Sequence, residues 1–506
     1  MTGTKRIIKP PCGDGRDIVT RRRKLVAAVC AALASSSESA MAQDTGERGK
    51  DNRLLEEVLV TATKRQANLM ELPESIQALA ESQLELAGVY AMDDYVRYIP
   101  SLSYVSLAPG EAKITFRGVA ANVFTLISEP TAALYLNDQS LTMNALPNVR
   151  IVDVERIEAL SGPQGTLYGA SAQSGVLRIV TNKPDHEGFD ASFDVMYRTG
   201  AESAASYDLH GMINVPLSDD FAVRIVGFSA EEDGYIDNVF GVTPRFGLFD
   251  NAGAEENNYN KNEYRGGRMA ASWLINDRWS MDASIIHQDT RAEGYSVQDP
   301  TLDQPFAVVR FLPNREFDDS KWTQYAVTFE GDLGFADFVS ATSYFTRDWT
   351  YSEDTSTGYV AYFGTFCYSS YYYDWSQYSR YCFQPADLGN YYNDPIGYRQ
   401  QVQKDTKFSQ EFRLVSQGPV FDWLAGLFYE THDEHWDFDT LVQGYDESKS
   451  VANYFAGNMI ARGNPVPSRL PDDVWWFSTQ STDRSQFAAF GEITWHLTDS
   501  WDVTLG

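Results

Sequence analysis

Past residue 42 the sequence has no apolar run of about 18 residues, the shortest that reads as a membrane helix. Cysteine is scarce: there are four, and Cys12 and Cys30 fall in the first 42 residues. Positive charge is also short, with 41 Lys and Arg against 70 Asp and Glu and a formal net charge of −29. So acidic a chain excludes a nucleic-acid partner held by a basic surface. There is no Gly-x-Ser-x-Gly and no His-Glu-x-x-His, so no enzyme and no catalytic residue is expected. Neither a cofactor nor a metal is called for by any motif.

The first segment present is a leader. Arg21 to Lys24 form a basic cluster, Leu25 to Ala34 an apolar run, and Ala40 to Ala42 read "AMA", small residues placed for cleavage. That is a secretory signal peptide, residues 1–42. A short membrane anchor is the competing reading, but ten apolar residues fall well short of a span. Cys30 follows Val29 and lacks the setting of a lipoprotein cysteine. The leader holds eight Lys and Arg against three Asp and Glu, so without it −29 becomes −34. Cys367 and Cys382 remain, and two cysteines in an exported chain most simply form one disulfide. A zinc site would want a Cys-x-x-Cys or a matching His pair beside them.

Residues 43–65 read as a flexible segment ending in a strand former. "DTGERGKDNR" is polar and aperiodic, and "LLEEVLVTATKR", 54–65, carries the β-branched Val58, Val60, Thr61 and Thr63. Such a strand on a tether can add to the edge of another protein's sheet, or it is the first strand of the domain that follows.

From 66 to about 186 the text is mixed α+β. "PESIQALAESQLELAG" reads as a helix from Pro73 to Gly88, with Ile76, Leu79, Leu84 and Leu86 near helical spacing, and "MDDYVRYIPSL" as a second one stopped at Pro100. Short strands follow in "KITFRGVA", "TAALYLNDQSL", "VERIEALSG" and "GVLRIVTNKP". Gly162, Gly165, Gly169 and Gly175, with Pro163, suit tight turns; a phosphate loop is set aside because no Gly-Lys-Ser/Thr follows.

From 187 to 506 strands alternate with connections of two lengths. Candidate strands are 190–199, 205–216, 220–230, 263–275, 278–288, 321–331, 336–347, 405–416, 420–431, 484–497 and 500 onward. "LSDD", "NDR", "DLGF", "QGPV" and "TDS" are tight turns. The other connections, 231–262, 289–320, 348–404 and 432–483, are long. That asymmetry suits a membrane barrel better than a soluble sandwich or solenoid. In "FDWLAGLFYE" Phe421, Trp423, Ala425, Leu427 and Tyr429 share one face, and in "SQFAAFGEITWHL" so do Phe487, Ile493, Trp495 and Leu497.

The order of these motifs resembles the TonB-dependent outer-membrane receptors. "EEVLVTA" (Glu56, Glu57, Val58, Leu59, Val60, Thr61, Ala62) is similar to their TonB box. "ITFRGVA", through Arg117 and Gly118, and "DVERIEALSGPQGTLYGASAQSGVLRIVTNKP", 153–184, through Gly162, Pro163, Gly165, Tyr168 and Gly169, resemble the plug motifs. The resemblance implies a transmembrane antiparallel β-barrel with an N-terminal α+β plug inside it. About 11 strands of an expected 22 are seen, and "WDVTLG" stops in mid-strand, so a C-terminally truncated sequence is expected; an open edge in lipid would leave backbone groups unsatisfied. It implies a receptor in the outer membrane of a Gram-negative bacterium, taking up a substrate too large for porins: a ferric siderophore, an oligosaccharide or an aromatic compound. TonB of the inner membrane and outer-membrane lipid are the expected partners. A passive porin or a surface adhesin is the alternative.

Two positions depart from the family pattern. Ser161 and Ala170 stand where it has arginines that hold the plug to the barrel wall, which puts that latch in doubt. Two further segments concern ligands. "HDEHWDFD", 432–439, clusters His432, Glu434, His435 and Asp437; it reads as a metal-binding mouth or, more plainly, an acidic solvated loop. Residues 351–400 hold 12 Tyr, and Tyr371, Tyr372, Tyr373, Trp375 and Tyr378 between Cys367 and Cys382 form a candidate ligand-binding loop. The same tyrosines equally suit a loop packed on itself.

Overall fold

A computed structural model describes residues 59–506 apart from 62–63, 66, 70–71, 73, 90, 107–111, 121–129, 144, 151, 170, 201–202, 204, 245–246, 358–395, 444–473 and 499–500. Outside the described residues lie the leader, Glu56, Glu57, Val58, Ala62, Ala170 and the segment with Cys367, Tyr371, Tyr372, Tyr373, Trp375, Tyr378 and Cys382. No helix among the described residues is long and apolar enough to cross a membrane.

The chain begins with a two-residue ladder of β1 (Leu59–Val60) on β2 (Ala67–Asn68). An inner unit follows: β3 (Ile76–Ala80), α1 (Glu81–Ala87), α2 (Met92–Tyr95), β4 (Leu102–Ser106), β5 (Ala112–Phe116), β6 (Ala132–Leu136), β7 (Gln139–Ser140), β8 (Val154–Ser161), α3 (Gly165–Tyr168) and β9 (Gly175–Thr181). Its sheet runs β3-β8-β9-β6-β7, with β6 and β9 parallel, and β4–β5 is a separate hairpin. Strand β6, "AALYL", is buried at every position, as an apolar run without alternation demands when both faces are covered. Leu134, Leu136, Ile157, Leu177 and Ile179 form the core with Met92, Tyr95 and Phe116.

One expectation fails here. Ile76–Ala80 is strand β3, paired antiparallel with β8 from Ile76↔Leu160 to Ala80↔Arg156, and the helix begins only at Glu81. The apolar residues at near-helical spacing carry no information about β8, whose free edge captures this segment. Leu86, placed on the expected helical face, is 92% exposed.

The remaining strands form one antiparallel sheet, each beside its predecessor: β10 (Asp190–Thr199), β11 (Ala205–Ser218), β12 (Phe221–Glu232), then, past the short β13 (Asp237–Asn238), β14 (Lys261–Asn276) and β15 (Trp279–Glu293). Past the short β16 (Ala307–Val308) come β17 (Phe317–Asp332), β18 (Asp337–Asp354), β19 (Gly397–Ser416), β20 (Phe421–Val442), β21 (Val474–Thr498) and β22 (Trp501–Leu505). The turns at "LSDD", "NDR", "DLGF" and "QGPV" fall where expected, and Gly334 in "DLGF" supplies a left-handed φ of 86°. The strands are longer than expected. β20 runs 22 residues and β21 25, so "HDEHWDFD" is strand and not loop. The backbone there keeps its pairing although its composition turns acidic.

This sheet is apolar outside and polar inside. Ile213, Ile225, Met269, Ile285, Tyr325 and Tyr344 sit opposite one another across six neighbouring strands, and each is between 37% and 51% exposed. Asp208, Arg224, Arg268, Gln288, Gln324, Arg347 and Asp405, all buried, point the other way. A soluble protein reverses that pattern; a strand wall in lipid requires it. Aromatic pairs line the short-turn rim: Phe421 and Trp495 stack at 5.7 Å, and Phe338 lies 6.1 Å from Trp279 and 6.3 Å from Phe412. Rings at that level match an interfacial girdle.

Candidate functional site at the boundary of inner unit and wall

The inward face of the sheet closes on the inner unit through charge. Arg150 meets Asp208 of β11, and its Nη1 lies 2.7 Å from Glu232 of β12. Asp153 accepts from Arg224 Nε at 2.8 Å and also pairs with Arg268 of β14. Lys183 Nζ is 2.7 Å from Asp282 of β15. Lys407 of β19 donates to Ser140 Oγ at 3.1 Å and to the Thr142 carbonyl at 3.0 Å. Contacts from β11 round to β19 mean that the wall wraps the inner unit.

These pairs replace the latch that was in doubt. Ser161 turns into the inner unit, with its Oγ 2.6 Å from Ser101 Oγ. The attachment has moved to Arg150, Asp153 and Lys183, and at Asp153 its polarity is reversed, a carboxylate of the inner unit held by wall guanidiniums. Burial alone would raise the Asp153 carboxyl, but Arg224 and Arg268 hold it below the usual range.

A second network grips the C-terminal end of the strand former. Thr61 N donates to Glu158 Oε1 at 2.9 Å. Glu158 is fully buried and is held by Arg156 Nε at 2.7 Å and Arg178 Nη1 at 3.2 Å. Both guanidiniums also reach Thr61 Oγ1. Three residues on, Lys64 Nζ lies 2.5 Å from Glu411 of β19, and Arg65 Nη2 lies 2.8 Å from Glu492 of β21. Glu411 continues to Arg413 at 3.1 Å, Arg413 to Asp138 at 3.5 Å and Asp138 to Arg178 at 3.2 Å. The chain of charges therefore starts and ends on the segment 61–64. Burial lowers the Lys64 ammonium against the pull of Glu411. Burial would raise Asp138, but Arg413, Arg178 and Lys64 hold it well below the carboxylate range.

Of the strand former, Leu59 and Val60 pair with β2, and Val60 is fully buried beside Leu160 and Val176. Gly162 and Gly169, with φ of 108° and 80°, bracket Pro163 and α3. Tyr168 sets its ring edge-on to Tyr135 at 4.9 Å. Gly175 has no room for a side chain: a Cβ would sit 2.5 Å from the Leu160 carbonyl. Arg117 and Gly118, with φ of 51° and 74°, make the turn after β5, and Arg117 Nη2 donates to Ser75 Oγ at 3.1 Å. Glu158, Arg156 and Arg178 were not singled out in the sequence. The available signal was charge at buried positions of the otherwise apolar "VERIEALS" and "GVLRIVT".

A cavity of about 840 Å³ opens beside this network. Thr61, Lys64, Arg65 and Lys183 line one side, and the short-turn residues Arg278, Asp332 and Gln417 line the other. It lies at the short-turn rim, with the tether as part of its lining.

Residues 68–176 match the family model of the TonB-dependent Receptor Plug Domain. Over 135 residues the chain is 35% identical to the pesticin receptor of Yersinia pestis, a match covering 26% of this chain and 19% of that protein. Two solved structures share the architecture. The ferric yersiniabactin uptake receptor from Yersinia pestis aligns with a TM-score of 0.57 at 18% identity, over 85% of this chain and 55% of that one. The outer-membrane ferripyoverdine receptor of Pseudomonas aeruginosa aligns at 0.59 and 12%, over 89% and 53%. At these identities the likeness speaks for the fold, a plug within a strand barrel. The chain spans about half the length of those two receptors. Its residues 68–176 carry the plug domain of the TonB-dependent receptors.

Proposed function

We propose that the protein sits in the outer membrane of a Gram-negative bacterium and imports a ferric chelate, driven by TonB. The observation that carries this is the grip on the C-terminal end of the strand former. A pull on Glu56–Ala62 acts directly on Thr61, and through it on Glu158 in the plug sheet. The same pull draws Lys64 and Arg65 from Glu411 and Glu492, opening the cavity they line. No catalytic step is assigned; the family's work is binding and passage. The iron-chelate class is supported by the names of the relatives, two of which are receptors for ferric yersiniabactin and ferripyoverdine.

The test is radio-iron uptake, from a panel of hydroxamate, catecholate and carboxylate ferric chelates, in a Gram-negative host lacking its own receptors. One chelate is expected to enter with the intact chain. It is expected to bind but not enter when 56–62 are deleted. Uptake unaffected by the deletion would instead select a passive porin, and binding without uptake by either form an adhesin.

A further inference from the structure

The inward face carries a second reactive group, beyond the point where the wall meets the plug. In β19 and β20 Asp405 faces Glu434 directly, and His432 lies one register step toward the short-turn rim. All three are buried, at 2%, 4% and 6% exposure. One ligand atom from each lies within 4.8 Å of the others. His432 Nε2 is 3.0 Å from Asp405 Oδ1, and Gln403 Nε2 donates to both Asp405 oxygens, at 3.1 and 3.3 Å, which fixes that carboxylate. The cluster in "HDEHWDFD" is thus divided by the strand. His435 and Asp437 point outward, with half-exposed side chains, while His432 and Glu434 point in.

The Asp405 carboxylate lacks a fixed cation among the described residues. Glu434 has Arg484 of β21 at 3.7 Å. Lys407, the next inward residue of β19, is engaged with Glu430 at 3.0 Å and with the plug. Asp405 has no Lys or Arg within ion-pair distance among the described residues, and the ionisable side chain beside it is the His432 imidazole. A buried carboxylate without a fixed cation is costly, and a bound cation removes the cost. Next on the same face, Trp436 is 5% exposed and its indole N–H has no acceptor among the described residues. A buried donor left unmet costs about 1–3 kcal/mol, and an oxygen ligand on a metal held here would meet it.

We propose that Asp405, His432 and Glu434 form a binding site for a divalent transition-metal ion of the zinc class, on the inner wall of the barrel. One imidazole with two carboxylates suits zinc and its first-row neighbours, whereas calcium and magnesium favour all-oxygen sites. Ligation at about 2.0–2.2 Å sets tetrahedral donors about 3.3–3.6 Å apart. The three atoms must therefore close in on a bound ion. Gln403 is a positioning residue that acts through Asp405. The site does not depend on the uptake reading, because its residues are not those that grip the tether.

The test uses the purified full chain in detergent, titrated with ZnCl2 by calorimetry and with Co2+ by its visible absorption. One equivalent of Zn2+ is expected, with Co2+ giving a band that shifts in His432→Gln. Binding weaker by roughly tenfold or more is expected for His432→Gln and Glu434→Gln, and roughly 10–100-fold for Gln403→Leu. His435→Gln, on the outer face of the same strand, is expected to bind as the parent does. Heat-modifiable gel mobility reports that each variant keeps its fold, and two independent ligand variants guard against the failure of one. Absence of stoichiometric binding by the parent, equal binding by both folded ligand variants, or equal loss in His435→Gln would each overturn the proposal.

Discussion

The backbone N–H of Thr61 donates to the buried carboxylate of Glu158 at 2.9 Å, tying the tether to the central strands of the plug. Glu158 also separates Arg156 from Arg178. Replacing it with Leu leaves two buried guanidiniums short of a partner, and breaking a buried pair from one side costs about 3–5 kcal/mol. Glu158→Leu is therefore expected to expose the plug to limited proteolysis while leaving the barrel's heat-modifiable mobility intact. An unchanged cleavage pattern would refute the structural role of this carboxylate.

Lys64 and Arg65 bind two separate wall strands through Glu411 and Glu492. The double change Lys64→Ala, Arg65→Ala is expected to free the tether without unfolding the plug, since Arg413 still pairs with Glu411. A spin label at Leu59 should become more mobile in that variant than in the parent. A spectrum as immobile as the parent's would place the grip at Thr61 alone.

Asp153 and Asp138 tie plug to wall with carboxyls held below their ordinary range. A depressed folded value contributes stability that is complete above the unfolded carboxyl value of about 3.9 and is lost as pH falls through the folded value. Attachment should hold steady from pH 8 to about pH 5 and weaken progressively below about pH 4. Hydrogen exchange in β8 and β9 across that range checks it, and exchange that rises between pH 8 and 6 would contradict it.

Met269 and Ile285 lie side by side in the outer apolar belt. Met269→Arg is expected to cost about 2–4 kcal/mol at the bilayer midplane. The same change at Ser284, which lines the cavity inside, should cost less. Urea titration of the protein folded into lipid vesicles would show the order, and equal costs would remove the belt from the lipid.

Local pattern was enough to read the alternation of Phe421 to Tyr429 and Phe487 to Leu497, the tight turns, and the glycine-rich turn before β9. Each depends on a residue and its near neighbours: period-two side chains, left-handed φ, or turn-forming side chains. The family resemblance added the plug. Strand lengths escaped because β19, β20 and β21 continue into polar sequence, where pairing with a neighbour holds the backbone and composition no longer signals it.

The sequence by itself determined that the chain alternates, that it turns tightly on one side, and that Glu158, Arg156 and Arg178 sit in apolar strands. Only the tertiary structure decided which charges meet. Ile76–Ala80 became strand because β8 offered an edge. The latch left Ser161 for Arg150 and Asp153, because the wall places Asp208, Arg224 and Arg268 there. Asp405 reached His432 because β19 and β20 register that way. Partners set by register across strands lie tens to hundreds of residues apart, and no local period records them.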